Sequence, residues 1–296
     1  MDKHIFWLAS YPKSGNTLLR AILVSLFFNK EGKFSFNLLK YITQLETVER
    51  LDLIKKINEN DFFNIGKLEI LSKYLQKLQI KKNLGFKEDF AFFKTHFANF
   101  KLNNNFFTDE KYIRGIIYLI RDPRDVCVSW SRHSNLSIEE SVNFLTNDNA
   151  CVSWGGNLDL YKPLIPKVYL SSWNNHINSW TIKNWNVPIL VIKYEDLIYK
   201  KKEVLFKIIS FFYENYKIKI PNVNKKIKNI VETTKFNYMK KEEEVRGFKE
   251  AVNGPFFAVG KSNQWEKKLN QNQIIFLESK FKDILKKYNY KLTIDI

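Results

Sequence analysis

The sequence predicts an α/β fold, a single domain in which helices flank a central parallel sheet of about four to five strands. Short, continuous apolar runs are typical of strands buried on both faces, and helical patterns lie between these runs. The chain has 296 residues, of which 45% are hydrophobic and 27% charged, and is long enough to bury one large core.

Four apolar runs rich in β-branched or aromatic residues are predicted strands: residues 4–10, 91–95, 116–120 and 189–193. Apolar residues at helical spacing predict six helices: residues 17–28, 125–132, 173–184, 202–213, 224–233 and 272–288. Residues 30–85 contain no strand candidate and are predicted to form a helical insertion. Residues 133–170 and 240–265 are predicted to be loops. We find no internal repeat and no linker, which favours one domain over residues 1–296.

Charge and cysteine content restrict the class of protein. The formal net charge is +17, which suits an anionic partner, but the lysines and arginines are scattered, which favours a general basic surface. Cys127 and Cys151 have neither zinc-site nor disulfide-framework spacing. Neither a signal peptide nor an apolar stretch of about 18 residues is visible, so we expect a cytoplasmic protein without a transmembrane segment. Peripheral attachment to a membrane is left open.

The first motif, SYPKSGNT, joins a predicted strand to a predicted helix. A loop of this kind presents backbone N–H groups at a helix N-terminus, where an anion binds. Ser14, Gly15 and Asn16 are small, Thr17 adds a hydroxyl, and Lys13 adds a charge. The usual phosphate loop, G-x-x-x-x-G-K-S/T, puts its lysine after the second glycine, whereas this lysine precedes the only one. Taken alone, the motif fits an ordinary turn equally well.

Two further motifs follow predicted strands. FFKTHFANF places Lys94 and His96 at a strand end, and a histidine has the pKa that suits a general base. YLIRDPRDVCVSWSRH places Arg121 at another strand end and Ser129 eight residues later. An arginine forks onto two oxygens of a phosphate. Because strand C-termini of open α/β sheets face the ligand crevice, the three motifs predict one anion-binding site.

Together these motifs resemble the sulfotransferase family that uses 3′-phosphoadenosine 5′-phosphosulfate (PAPS). In that family Y-P-K-S-G-T-T binds the 5′-phosphosulfate, K-T-H supplies the base, and R-D/N-P-K/R-D-x-x-x-S binds the 3′-phosphate. The spacing from Arg121 to Ser129 is the family's. The resemblance spans residues 5–269 and continues at further positions: Tyr194 in IKYEDL, Thr234, Phe236 and Met239 in TTKFNYM, and Gly260 in VGKSNQWEKKL.

The resemblance implies a P-loop-like fold and roles for individual residues. It implies that Lys13 stabilises the leaving bridging oxygen, His96 accepts the acceptor's proton, Lys94 stabilises the sulfuryl oxygens, and Ser129 holds Lys13 until the acceptor binds. No metal is implied. The residues implied to bind PAPS, or its product PAP, are Lys13, Ser14, Gly15, Asn16, Thr17, Leu18, Arg121, Ser129, Tyr194, Thr234, Phe236, Met239, Gly260 and Lys261.

This sequence departs from the family pattern at several positions. Asn16 replaces a threonine, and Leu18 stands where many relatives have a tryptophan that covers the adenine. Ala258 and Val259 replace an Arg-Lys pair that holds the 3′-phosphate, and we expect Lys261 to supply the missing cation.

A histidine base suggests a hydroxyl group as the acceptor. We expect a hydroxyl group of a small molecule, lipid or carbohydrate, and less readily an amine. Its pocket is expected from residues 30–85, 133–170 and 240–258, whose aromatic residues either line a pocket or pack locally: Phe34, Phe36, Trp154, Tyr161, Phe248, Phe256 and Phe257.

Two other classes of protein compete with this interpretation. A nucleoside or nucleotide kinase shares the strand–loop–helix phosphate site, but it should show the usual phosphate loop and an aspartate for magnesium. A nucleic-acid or polyanion binding module would interleave basic and aromatic residues on one face, whereas aromatic runs such as FFYENY suit a core. We therefore expect no nucleic-acid partner.

Overall fold

The computed structural model describes residues 3–46, 67–102, 104–153, 167–182, 185–248, 250–251 and 254–294. Its strands in chain order are β1 (Ile5–Ser10), β2 (Thr43–Gln44), β3 (Ala91–Thr95), β4 (Lys101–Leu102), β5 (Asn105–Phe106), β6 (Ile113–Ile120), β7 (Cys151–Ser153), β8 (Lys167–Tyr169) and β9 (Ile189–Lys193). Its α-helices are α1 (Asn16–Phe28), α2 (Leu68–Leu78), α3 (Lys81–Leu84), α4 (Pro123–Ser134), α5 (Ile138–Thr146), α6 (Trp173–Thr181), α7 (Tyr194–Tyr199), α8 (Lys201–Tyr216), α9 (Val223–Thr233), α10 (Phe236–Arg246) and α11 (Gln271–Lys287).

The central sheet has five parallel strands in the order β2-β3-β1-β6-β9. Strand β1 pairs with β3 in parallel from Ile5 opposite Ala91 to Ala9 opposite Thr95. All six residues of β1 are buried, as expected for a parallel strand covered on both faces. The predicted α/β fold is thereby confirmed.

The chain divides into two compact units. The first comprises Met1–Tyr11, Thr43–Tyr118 and Asn143–Ile189, and the second comprises Pro12–Ile42, Leu119–Val142 and Leu190–Ile296. The prediction of one domain over residues 1–296 stays a prediction.

Each unit has aromatic side chains in its interior. In the first, the ring of Phe107 lies 4.8 Å from that of Phe97 and 5.1 Å from that of Trp7, measured between centroids. In the second, the buried ring of Phe212 on α8 lies 4.7 Å from the half-buried ring of Phe27 on α1. Aromatic side chains bury large apolar areas and therefore dominate the energetics of such cores. No helix among the described residues is long and apolar enough to cross a membrane.

Several predicted boundaries were wrong. Strand β6 begins at Ile113, whereas the prediction began at residue 116. The prediction was too short because Arg114 and Gly115 interrupt the apolar run. The Arg114 guanidinium lies 5.2 Å from the centroid of the Phe90 ring, a contact that a sequence pattern does not reveal. The predicted insertion contains a strand, β2, which pairs with β3. Residues 47–66 of that insertion lie outside the described residues.

The two predicted loops also contain regular structure. Helix α5 lies within residues 133–170, where Ser137 and Glu140 form a capping box: each side chain accepts a hydrogen bond from the other's backbone N–H. Residues 154–166 of this segment lie outside the described residues. In the other loop, helix α10 continues to Arg246. Ion pairs one turn apart, such as that from Arg246 to Glu242 at 2.9 Å, support it.

Candidate active site

The loop before α1 has the geometry of an anion site. Gly15 has φ 96° at the N-cap of α1, no side chain caps this end of the helix, and no acidic residue lies in the first turn. A Cβ atom at Gly15 would overlap the ring of Tyr194, so only glycine fits there. The Ser14 hydroxyl is buried and has no hydrogen-bond partner among the described residues. A small, uncapped helix start with an unpaired donor suits a bound anion.

Lys13 brings a cation to this loop. Its ammonium lies 5.1 Å from the centroid of the Phe256 ring. Burial, followed by the positive charges of Arg132 and Arg121, lowers the pKa of Lys13 to about 8, while Glu250 opposes the shift. The Lys13 side chain is therefore in a region of excess positive charge.

Arg121 links two separate segments of the second unit. Its Nη1 donates to the carbonyl oxygen of Lys13 at 2.9 Å, and its Nη2 donates to that of Lys261 at 3.4 Å. Its guanidinium lies 4.4 Å from the centroid of the Tyr194 ring, and its Nη2 lies 3.9 Å from Asp125 Oδ2. Its Nε is buried and has no partner within the described ranges. The structure therefore brings Lys13, Arg121, Tyr194 and Lys261 together.

The other residues that the resemblance implied to bind PAPS lie in the second unit and differ in burial. Ser129 is buried on α4, Met239 is buried on α10, and Leu18 is half-buried on α1. The Thr234 hydroxyl is buried and donates to the carbonyl of Ile230 within its own helix. Gly260 has φ 64°, and a Cβ atom there would overlap the Phe236 ring. Gly260 and Phe236 are thus packed together.

A cavity of about 280 Å³ adjoins this loop. It is lined by Lys13, Arg132, His133, Lys240, Glu250, Ala251, Gly254, Pro255, Phe256, Phe257 and Ala258. Arg132 forms no ion pair with any described residue. Burial, followed by the charges of Lys13 and Arg132, lowers the pKa of His133 to about 4, so this imidazole is neutral at pH 7. The cavity combines several cations with an apolar wall.

The aromatic residues expected near the acceptor form a cluster in the second unit. The ring of Phe248 stacks on that of Phe36 with centroids 4.8 Å apart and meets that of Phe256 at 5.0 Å. Phe257 and Phe34 join the same cluster. Trp154 and Tyr161 lie outside the described residues.

His96 lies in the first unit, directly after β3, and is 8% exposed. Its Nδ1 lies 2.8 Å from the carbonyl oxygen of Ser10. The Ser10 hydroxyl lies 3.3 Å from the same nitrogen. A carbonyl only accepts, so the shorter contact assigns the proton to Nδ1 and the lone pair of the neutral ring to Nε2. The histidine is therefore held in the tautomer that a general base at Nε2 requires.

A buried carboxyl group, that of Glu46, lies beside this segment of the first unit. Its Oε1 accepts from the Thr95 hydroxyl at 2.9 Å, whereas its Oε2 is buried and unpaired among the described residues. Burial raises the pKa of Glu46 to about 7, opposed by hydrogen bonds and by the charge of Lys94. Lys94 itself is half-buried in β3.

The described residues contain no group of acidic, histidine or cysteine side chains arranged to hold a metal ion.

Sequence reasoning missed Arg20, Arg132 and Glu250 around the loop of the second unit, and Glu46 beside Thr95 in the first unit. Arg20 had a local signal, because it lies one helical turn after Thr17 and therefore shares its helix face. Glu250 had none, since it lies 233 residues from its partner Thr17.

The model of the sulfotransferase domain family matches residues 3–289. A curated amine sulfotransferase from the rabbit, Oryctolagus cuniculus, is 26% identical over 215 residues, which make up 71% of this chain and 56% of that protein. This chain thus matches little more than half the length of that relative.

Two solved structures share the fold. Retinol dehydratase in complex with androsterone and inactive cofactor PAP has a TM-score of 0.60 and 18% identity, covering 100% of this chain and 83% of that chain. Mouse sulfotransferase SULT7A1 complexed with PAP has a TM-score of 0.58 and 16% identity, covering 98% and 86%. At these identities the likeness concerns the fold alone.

Proposed function

Because this chain belongs to the sulfotransferase domain family, we propose that it transfers a sulfuryl group from PAPS to a hydroxyl group of an organic acceptor and releases PAP. The observation that carries the proposal is the uncapped start of α1, with the unpaired Ser14 hydroxyl, Lys13 and Arg121 around it. The PAP named in the structures of both neighbours supports the choice of donor.

We assign the donor's anionic groups to residues of the second unit. The 5′ end would contact Lys13, Ser14 and the first turn of α1, where N–H groups and the helix dipole favour negative charge. The 3′-phosphate would contact Arg121 and Ser129, and Lys261 would supply the cation that Ala258 and Val259 lack. The adenine is assigned to Leu18, Tyr194, Thr234, Phe236, Met239 and Gly260. PAPS supplies an activated sulfuryl group.

The protein's part in the reaction is charge neutralisation and proton transfer. We assign Lys13 to the oxygen on which negative charge develops, Lys94 to the sulfuryl oxygens, and Ser129 to holding Lys13 before the acceptor arrives. Nε2 of His96 would take the proton of the acceptor hydroxyl, a role that its tautomer supports. These assignments use only side chains of this chain and need no metal ion.

The acceptor class is proposed from the neighbours' ligands and from the aromatic cluster. Retinol and androsterone, named with retinol dehydratase, are alcohols. Phe36, Phe248 and Phe256 offer an apolar surface to a comparable molecule. A small hydroxyl compound is therefore favoured over a carbohydrate, and the name of the rabbit relative keeps an amine as the second candidate.

Two measurements test this function. Calorimetric titration should detect PAP binding without magnesium, whereas a kinase would bind ATP with magnesium instead. Incubation with radiolabelled PAPS and fractionated extracts of the source organism, with retinol, androsterone and an alkyl amine as reference acceptors, should yield a labelled product. Absence of both PAP binding and transfer would contradict the proposal.

Replacement of His96 tests the base. His96→Ala should lower turnover about 10²–10⁴-fold, the usual cost of losing a general base, and leave PAP affinity within twofold. The PAP titration serves as the control for folding. A turnover close to that of the wild type would remove His96 from the mechanism.

A further inference from the structure

Glu250 places a carboxylate at the start of α1, where the proposed function places the donor's anionic group. The Thr17 hydroxyl donates to Glu250 Oε2 at 3.3 Å. Nη1 of Arg20 donates to Glu250 Oε1 at 2.5 Å, in an ion pair whose arginine is only 4% exposed. Both oxygens of one carboxylate are therefore held by side chains of α1.

The two donors belong to one face of the helix. Thr17 and Arg20 are three residues apart, which makes their side chains neighbours in the first turns of α1. The N-terminus of a helix favours negative charge because of its free N–H groups and the helix dipole. At the start of α1 neither an acidic residue of the first turn nor a capping side chain supplies that charge. Glu250, which is distant in the sequence, therefore places its carboxylate where the local electrostatics favour an anion.

Arg20 is fixed independently of Glu250. Its Nε donates to the carbonyl of Ile42 at 2.9 Å, and its Nη2 donates to that of Leu39 at 3.3 Å. These bonds hold the guanidinium in place while Nη1 contacts the carboxylate. A buried guanidinium that lost its carboxylate would need another anion, because an unpaired buried charge is strongly unfavourable.

The charged residues that line the adjoining cavity also favour an anion at this position. Of the described residues that line the cavity, Glu250 alone is acidic, while Lys13, Arg132 and Lys240 are basic. The Thr17 hydroxyl has a single proton and donates to one acceptor at a time. Glu250 and an anionic ligand consequently cannot share this hydroxyl.

We propose that Glu250 is an exchangeable internal anion, which the anionic group of the donor displaces from Thr17 and Arg20, so that Arg20 becomes a donor-binding residue. The inference rests on the proposed function. Donor binding is then an exchange of one anion for another, and Glu250 lowers donor affinity in the free protein. The same exchange keeps Arg20 paired in both states.

Titration of PAP into three proteins tests the exchange: the wild type, Glu250→Gln and Glu232→Gln. Glu232 is an exposed partner of Lys235 and serves as the charge-matched control. Glu250→Gln should lower the PAP dissociation constant about tenfold, since a hydrogen bond to a charged group is replaced by a weaker neutral one. Glu232→Gln should leave it within twofold of the wild type.

A second variant separates binding by Arg20 from a structural role. Arg20→Lys, made in the Glu250→Gln background, should raise the dissociation constant for PAP about tenfold, because an ammonium group loses the fork that contacts an anion while both carbonyls stay bonded. A purely structural Arg20 would change the melting temperature without changing PAP affinity.

The outcomes distinguish the two proposals. Equal PAP affinity of the wild type and Glu250→Gln, or unchanged affinity on replacing Arg20, would overturn the exchange and leave the sulfotransferase proposal standing. Failure of all variants and the wild type to bind PAP would overturn both.

Discussion

Lys13 is the residue at which the crowding of charge is clearest. Burial, followed by the positive charges of Arg132 and Arg121, disfavours the ammonium form and lowers the pKa of Lys13, and Glu250 only partly compensates. A pKa of about 8 means that the ammonium form loses its proton just above neutral pH. An anion bound beside it would favour the ammonium form and raise the pKa again.

We therefore predict that PAP affinity falls as pH rises through about 8, by about tenfold between pH 7 and pH 9, because the charged form binds the anion better. Calorimetric titration at the two pH values measures the change. Lys13→Arg, whose side chain stays charged at pH 9, should abolish most of this dependence. The same pH dependence in Lys13→Arg would show that another group is responsible.

Single residues also mark the limit of prediction for the site. Lys13, Gly15 and Arg121 could be singled out because each belongs to a short motif with its own spacing. Glu250 and Arg132 could not, since their importance comes from the cavity that they line with Lys13. No local spacing relates those residues.

Among the elements, α4 connects the Arg121 motif to the segment that carries Gly260 and Lys261. Its start follows sequence rules: the Asp122 side chain caps the helix, and Pro123 occupies the first turn. Its next acid, Asp125, is 1% exposed and accepts backbone N–H groups of Asn263, Gln264 and Trp265 at 2.7 to 3.2 Å. One carboxylate therefore positions the whole segment.

Asp125→Asn should destabilise the protein by about 3 kcal/mol, because a charged acceptor of three N–H groups becomes an amide with one acceptor oxygen. Denaturant unfolding monitored by tryptophan fluorescence gives the value. Asp109→Asn, at a partly exposed acid paired with Lys111, is the matched control and should change stability by less than about 0.5 kcal/mol. A loss below about 1 kcal/mol for Asp125→Asn would mean that the segment is held by other contacts.

Elements were predicted best where the local pattern agrees with packing. Strands β3 and β9 have the predicted bounds, and α1, α9 and α11 begin within one residue of the prediction. Helix α5 was missed although its capping box is visible in the sequence, because the Ser- and Asn-rich composition suggested a loop. Strand β2 has only two residues and forms through its pairing with β3. No periodicity can be read from so short a strand.

At the scale of the whole molecule, stability depends on pH through groups that folding buries. Glu46 is 3% exposed, and burial raises its pKa from 4.5 to about 7. Between these two values the folded state holds more protons than the unfolded state. The contribution of Glu46 to the free energy of unfolding is therefore fully present below pH 4.5 and is lost as pH rises through 7.

Glu46→Gln should remove this loss while keeping an oxygen for the Thr95 hydroxyl. Between pH 4.5 and pH 8, we expect the free energy of unfolding of the variant to rise by about 3 kcal/mol relative to that of the wild type, since a pKa unit corresponds to about 1.4 kcal/mol. Guanidinium unfolding of both proteins across this range gives the difference, in which all other titrating groups cancel. A constant difference would mean that Glu46 is ionised in the fold throughout.

The sequence by itself determined the α/β class, four of the five strands of the central sheet, six of the helices, and the motif residues Lys13, His96 and Arg121, because burial on two faces and the turn after a strand leave local patterns. Only the tertiary structure decided which distant groups meet. Arg121 contacts the carbonyl of Lys261 across 140 residues, and Thr17 contacts Glu250 across 233. Such contacts result from the packing of whole elements, and the free energy of that packing is not contained in the spacing of neighbouring residues. The electrostatic environment of Lys13 is consequently a property of the folded chain.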